Sequence, residues 1–246
     1  MDNFDFSTFY KKNFISSSSF ISGFFILLVD ILVLFLCIGF GFFVVNIFVP
    51  SLINFKSFVN YVLFIPFIIL FDPTSACNLK CKGCWAAEYG HSLQLSLDEM
   101  RSIVRQGQEL GTHFYMLTGG EPLIRKDDII TLASENPRCV FLIYTNATLI
   151  DKKLCDDIKR CGNITLALSI EGDECSNDER RGEGAYKTTM EAMELLKNEK
   201  ILFGISVCYT SKNVVDVTSD EFLDEMVNAG AKYAFYFNYM PVGSDG

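Results

Sequence analysis

Positive charge is scarce in these 246 residues: 21 Lys and Arg stand against 30 Asp and Glu, a formal net charge of -9. A nucleic-acid binder that works through a basic face is therefore excluded, because phosphate contacts need clustered Lys and Arg. No fixed period recurs, and Ser16–Ser19 is the only extended homopolymeric run. Solenoid, collagen-like and low-complexity architectures have nothing to rest on. Intrinsic disorder is excluded by composition, since 50% of the chain is hydrophobic. Nine cysteines would suit a disulfide scaffold only in a short secreted chain. Here Cys77, Cys81 and Cys84 fall within eight residues, while Cys37, Cys139, Cys155, Cys161, Cys175 and Cys208 are scattered. That pattern favours a metal site in a reducing compartment.

The composition breaks sharply near residue 71. Residues 1–71 hold 17 of the 23 Phe, and their three Lys (Lys11, Lys12, Lys56) balance three Asp (Asp2, Asp5, Asp30), so all excess negative charge lies beyond. From Phe20 to Pro50 the single charge is Asp30. A spanning helix needs about 20 apolar residues, and the sequence predicts a transmembrane helix over 23–49. A polar segment, 1–22, precedes it and a linker, 50–65, follows. A cleaved signal peptide fits less well: the apolar stretch is too long and no small-residue cleavage site follows it. A buried core helix, or a poorly folded extension of a shortened gene product, is the bland alternative. Lys residues on both sides of the span leave its orientation undecided by charge. Chemistry supplies the argument instead, because a thiol-rich metal site belongs on the cytosolic side.

Beyond residue 66 short β-branched and aromatic runs alternate with amphipathic stretches. Strands are predicted at 67–71, 113–117, 140–144, 164–169, 202–208 and 233–239. Ser96-Leu-Asp-Glu99 is a capping box opening a helix that runs to Gly111. Further helices are predicted at 127–133, 151–161, 186–198 and 219–229. Six strands alternating with five helices imply parallel strands with right-handed crossovers. Six units are too few for a closed eight-fold barrel, so the expected α/β fold is an open, partial (βα)6 barrel over 66–246. Polar residues at the C-terminal ends of its strands then face the site.

The first of these strands leads into Cys77-x3-Cys81-x2-Cys84. Three thiolates on one loop can converge on an inorganic core, and a [4Fe–4S] cube ligated by three of them keeps one iron open. Structural zinc prefers four closed ligands, and the only nearby fourth donor is His91, at an irregular spacing. Unligated cysteines are the remaining reading.

Thr118-Gly119-Gly120-Glu121-Pro122 follows at the end of the second strand. The triplet together with this motif resembles the radical S-adenosylmethionine (radical SAM) superfamily over about residues 66–246. The strings CNLKCKGCWAAEYG, TGGEPLIRKDD, YTNATLI, LSIEGDE, RRGEGAY and YMPVGSD look closest to a branch from anaerobic microbes. One departure is local. Many relatives carry an aromatic residue just before the third cysteine, where this chain has Gly83, with Trp85 just after.

The resemblance implies an enzyme with a [4Fe–4S] cluster on Cys77, Cys81 and Cys84. The open iron would chelate S-adenosylmethionine, and a low-potential donor of the flavodoxin or ferredoxin type would supply one electron. Cleavage of the cofactor would then yield a 5'-deoxyadenosyl radical that abstracts hydrogen from a substrate. Gly119 and Gly120 permit close backbone approach and Glu121 offers a charge-assisted hydrogen bond, both toward the methionine ammonium. Ser169 and Glu171 share one strand face, at the position the family uses for the ribose hydroxyls. Arg181 matches the arginine that meets the cofactor carboxylate, with Arg180 as the neighbouring alternative. Asn146 either caps the turn after the third strand or faces the cofactor, and Asn213 is a candidate of the same kind. Cys139, Cys161 and Cys208 read as small core hydrophobes, and His113 as structural. Tyr236, Tyr239 and Met240 read equally as cavity lining or as core.

Competing classes are a non-catalytic iron–sulfur carrier, which needs a fourth cysteine, a zinc-stabilised membrane adaptor, and an inactive fragment. The stop at Gly246, directly after the sixth strand, reads as a truncation before a C-terminal domain.

Overall fold

The computed structural model describes residues 66–86 and 90–240. The helix expected at 23–49 and its flanking segments lie outside the described residues. Among the described residues no helix is long and apolar enough to cross a membrane.

The described chain alternates strands and helices. In order these are β1 (Ile68–Thr74), α1 (Leu97–Leu110), β2 (Phe114–Gly119), a short 3-10 turn (Pro122–Arg125), α2 (Lys126–Glu135) and β3 (Val140–Thr145). There follow α3 (Lys152–Cys161), β4 (Ile164–Ser169), α4 (Glu174–Arg181), α5 (Ala185–Asn198), β5 (Phe203–Tyr209), α6 (Val214–Val217), α7 (Asp220–Ala229) and β6 (Ala234–Asn238). All six strands pair in parallel and in chain order, leaving β1 and β6 as two edges. The sheet is an open half-barrel, as the alternation predicted.

The period of two sorts the strand residues onto the two faces of the sheet. Phe141 and Ile143, Leu166 and Leu168, and Phe203, Ile205 and Val207 lie at alternate positions and are all buried. They join Met100, Val104, Ile129, Leu132, Met193, Leu196, Phe222 and Met226 from the helices in one core. The opposite, concave face carries Tyr144, Phe235 and Phe237, whose rings meet with centroids 5.7 and 5.8 Å from that of Tyr144. Helix ends are set locally. The capping box of α1 forms in full, with Ser96 N donating to Glu99 Oε2 at 2.7 Å and Glu99 N donating to Ser96 Oγ at 3.2 Å. Asp151, Asp173 and Ser219 cap α3, α4 and α7 by the simpler half of this arrangement, each side chain accepting from the backbone N–H three residues on.

Several elements depart from the sequence reading. β1 continues past Phe71 to Thr74, with its register to β2 shifting between those residues. Pro73 has no N–H for the ladder, so the strand crosses this point irregularly. The single-turn α6 has no counterpart among the predicted helices, and neither has α4. Its sequence, ECSNDERR, buries only Asn177 and offers no apolar stripe to detect.

Candidate active site

The C-terminal ends of the strands converge on the loop that follows β1. Cys77, Cys81 and Cys84 are free and partly buried on it, and the thiols of Cys81 and Cys84 lie close enough to raise the pKa of Cys77. Burial pushes the thiols of both Cys77 and Cys81 up, opposed by the Leu79 N–H at Cys77 and by the Arg181 charge at Cys81. Ligation by a positive centre must therefore release protons here.

Gly119 and Gly120 do allow close approach, and the partner they approach is this loop. A Cβ on Gly120 would lie 2.1 Å from the Ala76 carbonyl oxygen. Gly120 N donates to Thr74 O at 2.9 Å, and Glu121 N to Ala76 O at 2.8 Å. The loop is thus laid directly onto the end of β2, a packing that any side chain at residue 120 would break.

Glu121 is buried, and its carboxylate is held by three donors. Leu123 N (3.0 Å) and Thr145 Oγ1 (2.8 Å) donate to Oε1, and Asn146 N (2.7 Å) donates to Oε2. Burial raises its pKa, while the Asn146 and Leu123 N–H groups act in the opposite direction. In this structure Glu121 is a latch between the ends of β2 and β3.

Asn146 caps its turn and also reaches the cysteine loop. Its Oδ1 accepts from Thr148 N at 3.1 Å, which caps the turn. Its Nδ2 meets Asn78 Oδ1 at 2.8 Å and Cys77 Sγ at 3.9 Å. Asn78 also donates to Thr148 Oγ1 at 2.7 Å, tying the cysteine loop to the end of β3.

Glu171 and Arg181 come together at the end of β4. Arg181 Nε donates to Glu171 Oε1 at 3.0 Å and its Nη2 pairs with the same oxygen, while Arg180 Nη1 stands 2.8 Å from it. Cys208 N donates to Oε2 at 2.9 Å. Two guanidinium groups face one carboxylate, so the cluster carries surplus positive charge, and that charge reaches Cys81. Lys82 N donates to Arg180 O at 2.8 Å and Arg180 Nε to Lys82 O at 3.3 Å, which clips α4 to the cysteine loop. Ser169 is half-buried two residues before Glu171 and pairs in register with Ser206. Asn213 is a turn holder, accepting from Thr210 N at 2.7 Å and donating to Glu171 O at 2.9 Å.

Other assignments sort themselves. Cys139 is in the core, as expected, and its sulfur lies 3.8 Å from His113 Nδ1. Cys208 is a correction: its backbone holds Glu171 and its thiol meets Arg180, so it belongs to the polar rim. Tyr236 turns toward the helices and donates to Val217 O at 2.8 Å, Met240 is exposed, and Tyr239 packs on the cysteine loop. Asn177, fully buried, accepts from Glu171 N at 3.1 Å and went unnoticed, because a lone Asn in a polar helix carries no pattern.

A family model, the Radical SAM superfamily, matches residues 71–217. The chain belongs to the radical SAM superfamily. It is 28% identical over 155 residues to the Fe-coproporphyrin III synthase of Methanosarcina barkeri, covering 61% of this chain and 39% of that protein. It is 30% identical over 175 residues to the AdoMet-dependent heme synthase of Nitratidesulfovibrio vulgaris, covering 68% and 47%. The chain thus spans about half or less of the length of these two relatives. Streptococcus suis SuiB bound to S-adenosylmethionine shares the fold, with a TM-score of 0.65 and 22% identity over 73% of this chain and 42% of SuiB.

Superfamily membership brings a [4Fe–4S] cluster and S-adenosylmethionine as cofactors. The donor set fits the cluster. Among the described residues no three Cys, His, Asp or Glu side chains stand close enough to share a single metal ion. A cube takes each thiolate at a separate corner, and three such donors leave its fourth iron open. His91, the imidazole nearest in sequence, is exposed.

Proposed function

We propose that this chain is a radical SAM enzyme that reductively cleaves S-adenosylmethionine and abstracts hydrogen from a substrate. Cys77, Cys81 and Cys84 would hold the cluster, which supplies the electron that breaks the sulfonium C–S bond. The observation that carries the reading is the superfamily match over 71–217 with all three cysteines on one loop at the strand ends.

The chain's own residues then have definable work. Arg180 and Arg181 place surplus positive charge beside Cys81, where thiolate charge collects. Asn146 and Asn78 hold Cys77, and the Glu121 latch keeps the ends of β2 and β3 in register beneath the loop. Ser169 and Arg181 are proposed to meet the cofactor at this rim together with the backbone of Gly119 and Gly120, while Glu121 and Glu171, whose oxygens are already taken by protein donors, would support them from beneath. The aromatic wall of Tyr144, Phe235 and Phe237 offers the substrate an apolar surface. A low-potential flavodoxin or ferredoxin is proposed as electron donor. The apolar segment 23–49 is proposed to anchor the enzyme with residues 66–246 in the cytosol.

Anaerobically reconstituted protein, given dithionite and S-adenosylmethionine, should release 5'-deoxyadenosine and methionine. An iron-loaded protein that releases neither would be a non-catalytic iron–sulfur protein. Recovery of the intact chain in the soluble fraction would overturn the anchor.

A further inference from the structure

Gly83 lies between two of the three cysteines and has a left-handed backbone, φ +63°. The neighbour that closes its open side comes from far along the chain. A Cβ on Gly83 would lie 2.2 Å from the Tyr239 hydroxyl oxygen and 2.8 Å from two of its ring carbons. Tyr239 stands just beyond β6, anchored by its N–H to Tyr209 O at 3.0 Å. On the ring's other contact, the Arg180 guanidinium carbon sits 5.8 Å from the centroid, within cation–π range. The same Arg180 holds Lys82 from both backbone sides and stands 2.8 Å from Glu171 Oε1.

These contacts form one assembly. The loop leaves β1, one edge of the half-barrel, and Tyr239 reaches it from β6, the other edge. Strand pairing does not join those edges, so the rim is closed here by side chains. The gripped residues, Lys82 and Gly83, are the whole spacer between Cys81 and Cys84.

We infer that Tyr239 is a positioning residue for the cluster-binding loop: its ring, seated on Gly83 and flanked by Arg180, fixes the separation of Cys81 and Cys84. The inference rests on the proposed cluster site and deepens it. Glycine is required at residue 83 for two reasons, the positive φ and the space the phenol takes.

The full chain, reconstituted anaerobically, tests this through iron and sulfide content, the EPR line shape of the reduced cluster, and the rate of cluster loss to a chelator. Tyr239→Ala should load iron yet lose it about ten-fold faster, since ring packing and the cation–π contact go together, and its EPR line shape should change. Tyr239→Phe keeps the ring and should match the parent. Gly83→Ala should lower loading, and adding Tyr239→Ala to it should cost less than Tyr239→Ala alone, because the clash is gone. Parental loss rate and line shape in Tyr239→Ala, or strict additivity of the two changes, would overturn the inference. If Tyr239→Ala does not fold, Gly83→Ala decides: parental cluster retention in it overturns the inference. A parent chain that binds no iron refutes the proposed function instead, so the two failures are distinct.

Discussion

Phe141 and Leu166 on the helix-facing side of the sheet are 0% exposed, and Glu121 and Glu171 at its C-terminal rim are 1% exposed. Burial is the same and the forces are not. Apolar burial is non-directional and scales with area, so the core asks mainly for volume. A buried carboxylate asks for donors in place, and it is costly when one is missing. The rim therefore has few acceptable sequences per position and the core has many.

The largest effect should separate cysteines of the two regions. Cys77→Ala, Cys81→Ala and Cys84→Ala should each abolish the cluster on reconstitution. Cys139→Ala, in the apolar core, should leave iron and sulfide per chain unchanged. A full cluster in any of the first three variants would remove that residue from the ligand set.

Next in size is the arginine-paired carboxylate. Glu171→Ala leaves Arg180 and Arg181 facing each other without their counter-charge, and removal of one partner of a buried pair costs about 3–5 kcal/mol. Urea unfolding of the metal-free chain should show that loss. Leu166→Met, equally buried but volume-conserving, should cost less than about 1.5 kcal/mol. Similar losses in the two variants would erase the contrast.

Glu121→Gln is a finer probe because it changes almost no volume. Whichever way the amide turns, its NH2 faces a backbone N–H, that of Asn146 or that of Leu123. The loss should be about 1.5–3 kcal/mol, the range for hydrogen bonds to a charged group. Thr145→Val removes only the hydroxyl donor and should cost less. An unperturbed Glu121→Gln melting curve would mean that the latch does not hold the strand ends.

The same contrast explains what the sequence disclosed. The core was legible because Val140–Thr145 and Ile164–Ser169 are short apolar runs of the kind that a parallel sheet buries on both faces, and all six strands were found, with ends off by up to three residues. The cysteine triplet and Gly119-Gly120-Glu121 were legible as motifs, since their spacing is local. What Glu121 holds was not, because its donors are Thr145 and Asn146 on another strand. Helix α4 was hidden for the converse reason: its worth lies in Arg180 and Arg181 reaching Glu171 and the cysteine loop, and no local pattern records that. Tyr239 on Gly83 is the extreme case, joining residues at opposite edges of the sheet.

The smallest effect belongs at the helix start farthest in kind from the rim. Ser96 caps α1 from an exposed position, accepting from Glu99 N and donating to Glu99 Oε2. Replacing a capping Ser by Ala typically costs about 1 kcal/mol, because a backbone donor of the first turn loses its partner and must turn to water. Ser96→Ala should lower stability by about that amount while leaving cluster content and chelator resistance at parental values, since the cap lies at the start of α1 and the loop at residues 90–96 stands between it and the cysteine loop. That loop is hydrogen-bonded to the cysteine loop, Leu93 N donating to Ser75 Oγ at 3.0 Å and Ser75 N to Leu93 O at 2.8 Å. A faster cluster loss in Ser96→Ala would show that strain at the helix start travels along this pairing, and that the rim and the helix layer are one cooperative unit.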